Sequence, residues 1–321
     1  MEKAGPQRTR KLSRSAPRPV DRRATESEFI RSALRGTPAL EAAVNNAMLD
    51  LVSRAKNVPI YQYLGGPARY KARLLGHLEG AGPADSAPSL ERAKRQGIQA
   101  FTTAAPLRDA MIPLRAYVDL VRKQYANMQA LAGPSAEWVL DAAGAMTPGD
   151  AATIAVALEP SHPIWFDEPT AVTSPDSLAK IVTESVMPIG LGRNITDLTA
   201  FQTLLASGSV NIVRPNLGLN SLPKIKRLAA LAETHYVGIA PFHNGGPIGS
   251  MAGIHLNASL LYAYAQQIPV PASDRDAAMR AEITSGMRET GDKGFFALVN
   301  RPGLGFEVNE KALDAWTEER I

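Results

Sequence analysis

The sequence predicts an α/β fold, a (β/α)8 TIM-type barrel preceded by a truncated, mainly helical capping segment. Two observations carry this reading: eight short apolar runs of β type recur along the chain, and the stretches between them are amphipathic at helical spacing. The runs are "ARLLGH" (72–77), "QAFTT" (99–103), "EWVLDA" (137–142), "PIWFD" (163–167), "MPIGLG" (187–192), "VNIVRP" (210–215), "HYVGIAPF" (235–242) and "LLYAYAQQ" (260–267). One landmark at the end of each, His77, Thr102, Asp141, Asp167, Arg193, Asn216, His243 and Gln267, gives intervals of 25, 39, 26, 26, 23, 27 and 24 residues. Such an interval accommodates a strand, a loop, a helix and a second loop, and eight units of that kind close into a barrel. "GDAATIAVALE" (149–159) and "SLPKIKRLAALAE" (221–233) supply the helical pattern. An open doubly wound sheet is the alternative, but no glycine fingerprint follows a first strand.

The other segments follow from local signals. Residues 1–25 form a basic tail: the first 23 carry eight Lys and Arg against Glu2 and Asp21, a net of +6 that leaves the rest of the chain at −2. Rich in Pro, Ser and Arg with almost nothing apolar, the tail is expected to be disordered, with a nucleic-acid arm or a targeting peptide as alternatives. No interleaved aromatics or nucleic-acid motif supports the former, so no nucleic-acid partner is expected. Residues 26–70 form the partial capping segment, in which Thr37 and Pro38 open a helix whose Leu40, Val44, Met48, Leu51 and Val52 line one face. The barrel is assigned to 71–275. Residues 276–321 are expected to pack back on the capping region.

Composition narrows the function classes. With 321 residues and 45% apolar content the chain can bury a large core, and no run approaches the roughly 18 apolar residues of a membrane span. No membrane partner is expected. The absence of cysteine excludes disulfides, thiolate zinc sites and a cysteine nucleophile, and allows a reducing compartment; a cytoplasmic location is expected.

In a barrel the C-terminal strand ends converge on one mouth, where active sites lie. Asp141 and Asp167 close neighbouring runs, and two converging carboxylates repel unless a cation sits between them; a hard divalent ion such as Mg²⁺ suits oxygen donors. Either acid could instead cap the following helix. Arg193 can form bidentate pairs with both aspartates or grip a substrate carboxylate. His243 can serve as a base or be a satisfied loop histidine, and the glycine-rich "HNGGPIGS" (243–250) could offer backbone N–H groups to an anion or be a tight turn.

"ALEAAVNNAMLDLVSRAKNVPIYQYLGG" is similar to the pre-barrel helical segment of the enolase superfamily, in its mandelate racemase and sugar-acid (galactonate-type) dehydratase branch. "VLDAAGAMTPGDAATIAVALEPSHPIWFDEPT", "MPIGLGRNITDLTAFQTLLASGSVNIVRPNLG", "APFHNGGPIGSMAGIHLNAS" and "RPGLGFEVNEKAL" resemble its later motifs in order, so that the likeness covers roughly residues 38–315. It implies abstraction of the proton α to a carboxylate, an enediolate held by Mg²⁺ on acids of the third, fourth and fifth strands, and, in dehydratases, expulsion of a β-hydroxyl. Asp141 and Asp167 match the first two metal positions, and Glu168 the acid before the proline.

The match then departs from the pattern. Arg193 stands at the third metal acid, so the resemblance implies Mg²⁺ held weakly or not at all. Thr102 stands for the lysine base, Asn216 for the acid that pairs with a histidine, Phe242 for that histidine with His243 one residue on, and Gln267 for a glutamate. The family's N-terminal β-sheet has no counterpart in 1–36. The expected site therefore comprises Asp141 and Asp167 as metal acids, His243, Arg193 and Asn216 as catalytic groups, and His77, Thr102, Glu168 and Gln267 as substrate contacts. Two readings follow: a divergent lyase or isomerase acting on a hydroxylated carboxylic acid, or a non-catalytic homologue that binds such an acid or serves as an assembly module. The resemblance also implies a homo-oligomer.

Overall fold

Eight parallel strands follow one another around a ring, each returned to the next by a helix on the outside. The computed structural model describes residues 37–80, 82–109, 111–171 and 174–318. The basic tail and the start of the capping segment, through residue 36, lie outside the described residues. The strands are β1 (Lys71–His77), β2 (Ala100–Ala104), β3 (Glu137–Asp141), β4 (Phe166–Asp167), β5 (Ile189–Leu191), β6 (Ile212–Val213), β7 (Gly238–Ile239) and β8 (Gln266–Pro269), paired in the order β7-β6-β5-β4-β3-β2-β1-β8. Closure comes from the segment before β8: Ile239 bridges Ala263, and the Tyr264 N–H donates to the Ile239 carbonyl at 2.7 Å. The fold is the expected (β/α)8 barrel with a helical N-terminal segment.

The eighth strand differs in position from the run that announced it. Regular pairing begins at Gln266, while Leu261, Tyr262 and Tyr264 are exposed and Leu260, Ala263 and Ala265 are buried. The apolar character of 260–265 serves the bottom rim, where Tyr264 meets Trp165 edge-on and lies under Arg73.

Period-2 alternation gives the barrel two separate cores. Leu75, Ala100, Val139, Trp165, Ile212, Ala240 and Ala265 point inward and fill the lumen. Their neighbours along each strand, such as Leu74, Phe101, Leu140, Phe166, Val213 and Ile239, point outward into the helical layer. That layer comprises α3 (Pro83–Arg95), α4 (Leu114–Ala132), α5 (Pro148–Leu158), α6 (Pro175–Glu184), α7 (Leu198–Ala206), α8 (Leu222–Thr234), α9 (Pro247–Ala258) and α10 (Asp274–Ile283). Trp165 is the widest lumen residue, and Gly190 on β5 makes room for it: a Cβ there would lie 2.4 Å from its ring and 2.7 Å from Asp167 Oδ1.

Among the described residues two helices precede the barrel, α1 (Pro38–Ala55) and α2 (Ile60–Tyr63). The buried face of α1 is not the expected one. Ala42, Leu49 and Ser53 are covered, whereas Leu40 and Leu51 are 50% and 53% exposed. Polar anchors set the rotation: Asn46 accepts from the Leu222 N–H at 2.9 Å, Asp50 accepts from the Leu304 N–H at 2.7 Å, and Arg54 donates to the Phe306 carbonyl at 2.6 Å. Small residues at 42 and 53 permit the close approach those bonds need. Past β8 the chain adds α10, a short strand β9 (Phe295–Ala297) antiparallel to β1, and α11 (Glu310–Glu318).

Candidate active site at the barrel mouth

Four neighbouring strand ends bring four charged side chains together. Asp141 and Asp167 are register partners on β3 and β4, Arg193 follows β5, and Arg214 follows β6. Asp167 is fully buried and uses both oxygens twice. Its Oδ1 accepts from Arg214 Nε at 2.9 Å and Trp165 Nε1 at 2.9 Å; its Oδ2 accepts from Arg193 Nη2 at 3.0 Å and Arg214 Nη2 at 3.2 Å. Asp141 Oδ1 accepts from Arg193 Nη2 and from the Ala143 N–H, the latter at 2.8 Å. Arg193 thus bridges both aspartates.

Arg214 is the residue that reading the sequence did not select. Fully buried in the lumen, it donates to Asp167, to the Ala240 carbonyl at 2.6 Å and to Gln267 Oε1. A signal for it existed. Ile212, Arg214 and Asn216 share one face by alternation, and that face points inward.

Aromatic faces complete the cradle. Arg193 lies 4.8 Å above the Phe242 ring, and Arg214 lies 5.2 Å from Trp165 and 5.9 Å from Phe242. Burial alone would lower the Arg193 pKa, but the Asp167 and Asp141 carboxylates raise it above the ordinary guanidinium value, so Arg193 stays charged. Glu168 adopts a left-handed backbone, with φ of 43°, and its Oε1 accepts from the Gly192 and Arg193 N–H groups at 2.7 and 2.8 Å. Burial, reinforced by Asp167, pushes its carboxyl pKa upward.

The remaining expected residues divide. His77 and Thr102, register partners on β1 and β2, share a 2.9 Å hydrogen bond through His77 Nδ1 and the threonine hydroxyl. Burial lowers the His77 pKa; Asp141 opposes this, while Arg193 and Arg214 add to it, which puts His77 in the electrostatic field of the mouth. Asn216 lines the mouth with its Oδ1 committed to the Gly218 N–H at 2.8 Å. Gln267 belongs to the Arg214 network. His243 does not join the cluster. Ala240 and Phe242 take the inward face, so His243 points outward, donating from Nε2 to the Gly246 carbonyl at 2.9 Å. The glycine-rich loop wraps this ring, and a Cβ at Gly249 would lie 2.2 Å from it.

A cavity of about 290 Å³ opens beside the cluster, lined among others by Glu168, Thr170, Arg193, Asn194, Asn216 and Phe242. A second, about 360 Å³, lies in the outer layer between α3 and α10 and shares no residue with the mouth.

The Mg²⁺ that the resemblance implies does not fit these residues. Both Asp167 oxygens are engaged by guanidinium and indole donors, and Arg193 brings positive charge to the point where Asp141 and Asp167 converge. Among the described residues no group of three or more His, Cys, Asp or Glu side chains is arranged to hold a metal ion.

Comparison with known proteins agrees with this architecture. The chain is 28% identical over 271 residues to a D-galactonate dehydratase of Verminephrobacter eiseniae, covering 84% of this chain and 71% of that protein. It is 26% identical over 282 residues to the D-galactonate dehydratase of Pectobacterium atrosepticum, covering 86% and 74%. Among solved structures, the mandelate racemase/muconate lactonizing enzyme-like protein from Rubrobacter xylanophilus superposes with a TM-score of 0.77 at 24% identity, covering 90% of this chain and 80% of that one. The family described as Enolase C-terminal domain-like matches residues 87–312, and no described helix is long and apolar enough to cross a membrane. With its barrel, its paired strand-end aspartates and that match over most of its length, the chain belongs to the Enolase C-terminal domain-like family.

Proposed function

We propose that this protein binds a hydroxylated carboxylic acid of the sugar-acid class at the barrel mouth and acts on it as a lyase or isomerase, by moving the proton α to the carboxylate. The observation that carries the reading is the Arg193 guanidinium, held charged at the wall of a cavity whose other polar lining, Thr170, Asn194 and Asn216, suits hydroxyl groups. The relatives named D-galactonate dehydratase support the same substrate class.

Removing an α-proton puts negative charge on the substrate carboxylate. A fixed, partly desolvated guanidinium beside it stabilises that charge more than water does. The proton acceptor in this reading is His77. Burial keeps its imidazole neutral, and its bond to Thr102 orients the ring and leaves Nε2 for the substrate. Glu168, which lines the same cavity and whose carboxyl pKa burial raises from its ordinary value, is the donor to a departing β-hydroxyl in this reading.

The second reading, a non-catalytic homologue that retains acid binding, is favoured by one specific observation. The aspartates are neutralised by arginines, and Thr102, Asn216 and Gln267 are non-titrating groups where the resemblance calls for acids and bases. The two readings separate by α-proton exchange into deuterated water over a panel of hexonates and hexarates. The enzyme reading expects exchange with at least one acid, lost in His77→Asn and retained in His243→Asn. Measurable binding without exchange for every acid would leave the non-catalytic homologue.

A further inference from the structure

We infer that Arg193 and Arg214 together replace the metal ion of this barrel mouth, and that Arg214 is the lock that makes the replacement permanent. The inference rests on the proposed site only for its location; its readout is metal binding, not turnover, so the two can fail separately.

Charge balance comes first. Asp141 and Asp167 carry two negative charges, and the two guanidiniums supply two positive ones, the charge a divalent cation would bring. Geometry then distinguishes the two arginines. Arg193 enters from the rim, with 12% of its side chain exposed, and could swing outward. Arg214 cannot. Its side chain is wholly buried, its Nη1 is tied to the Ala240 carbonyl and its Nη2 to Gln267, and Nε and Nη2 grip the two oxygens of Asp167 as a fork. Trp165 Nε1 takes a further lone pair of the same carboxylate. Displacing Arg193 alone would expose Asp141 but leave Asp167 held, and a Mg²⁺ ion needs several oxygen ligands at near-octahedral positions. Gly190 keeps the arrangement possible, because any side chain there would collide with both Trp165 and Asp167.

The test uses Mn²⁺ as a spectroscopic probe in paramagnetic-resonance titrations of the full chain, with Mg²⁺ as competitor. The parent is expected to leave millimolar Mn²⁺ free, and its melting temperature to be unchanged by chelator and by Mg²⁺ added back. Arg193→Glu supplies a third acid yet should bind weakly, whereas Arg193→Glu combined with Arg214→Gln should bind about tenfold more tightly or better. One equivalent of Mn²⁺ on the parent, or a chelator-induced drop in its melting temperature, would overturn the inference. Arg193→Glu binding as tightly as the double variant would overturn the role given to Arg214. Circular dichroism first establishes that each variant is folded; if the double variant is not, the parent's chelation series still decides whether the mouth is metal-free.

Discussion

The two halves of the barrel mouth are built on opposite principles. From β3 to β6 the strand ends carry Asp141, Asp167, Arg193 and Arg214, every one charged and paired with another. On β1 and β2 they carry His77 and Thr102, neutral groups that bond each other. The difference teaches where freedom remains. In the charged half both carboxylate oxygens of Asp167 are already spent on guanidinium and indole donors, so that this acid serves to position and neutralise. The neutral half holds a titratable ring with no fixed ionic partner, where proton transfer costs least.

The comparison breaks most violently at Arg214. Arg214→Ala leaves Asp167 buried without its principal counter-charge and should lower stability by about 3–5 kcal/mol, read by urea unfolding. Pairing it with Asp167→Ala should recover much of that loss, since removing both charges removes the uncompensated one. A loss near zero in the single variant would mean that Asp167 is protonated or solvated.

Arg193→Ala sharpens the contrast between lock and rim. Asp167 keeps Arg214 in this variant, and the rim position admits water, so the expected loss is smaller, about 2 kcal/mol. Losses of equal size at the two arginines would erase the distinction.

The neutral half should behave differently again. His77→Asn is expected to change stability by about 1 kcal/mol, while abolishing any α-proton exchange. His243→Asn, which loses the bond to the Gly246 carbonyl and part of the ring packing under the glycine-rich loop, should cost about 1–2 kcal/mol and spare exchange.

These outcomes bear on what was legible in the chain. The barrel could be read because eight apolar runs at near-constant spacing admit few other closures, and the meeting of Asp141, Asp167 and Arg193 followed from three run ends in adjacent units. Arg214 stands inside an otherwise apolar run, two residues before the strand-end landmark Asn216, so run ends alone pass over it. Counting back by two along the strand, from Asn216 to Arg214 to Ile212, reveals an inward arginine. The same parity separates Phe242, which faces the cluster, from His243, which does not. Spacing locates strand ends, whereas alternation decides which side chain enters the mouth. The face of α1 differs for another reason: hydrophobic spacing points to Leu40 and Leu51, but Asn46, Asp50 and Arg54 fix the helix by polar contacts to distant segments that spacing cannot see.

The smallest expected effect is a slope with pH. Burial lowers the pKa values of His77 and His243, so between those values and the ordinary 6.5 the unfolded chain binds protons that the folded chain refuses. Their contribution is complete above pH 6.5 and is lost as the pH falls below it. Melting temperatures measured from neutral pH to about pH 5 should fall less steeply in His77→Asn than in the parent. A steeper fall in the variant would mean that His77 is charged in the native state.

Whether guanidinium groups occupy the place of a metal ion can be seen by diffraction at the manganese absorption edge from crystals grown in Mn²⁺. Such crystals should show no anomalous peak between Asp141 and Asp167, and continuous density for Arg193 bridging the two carboxylates with Arg214 forked on the second. A manganese peak at that point, with Arg193 turned out of the mouth, would contradict it.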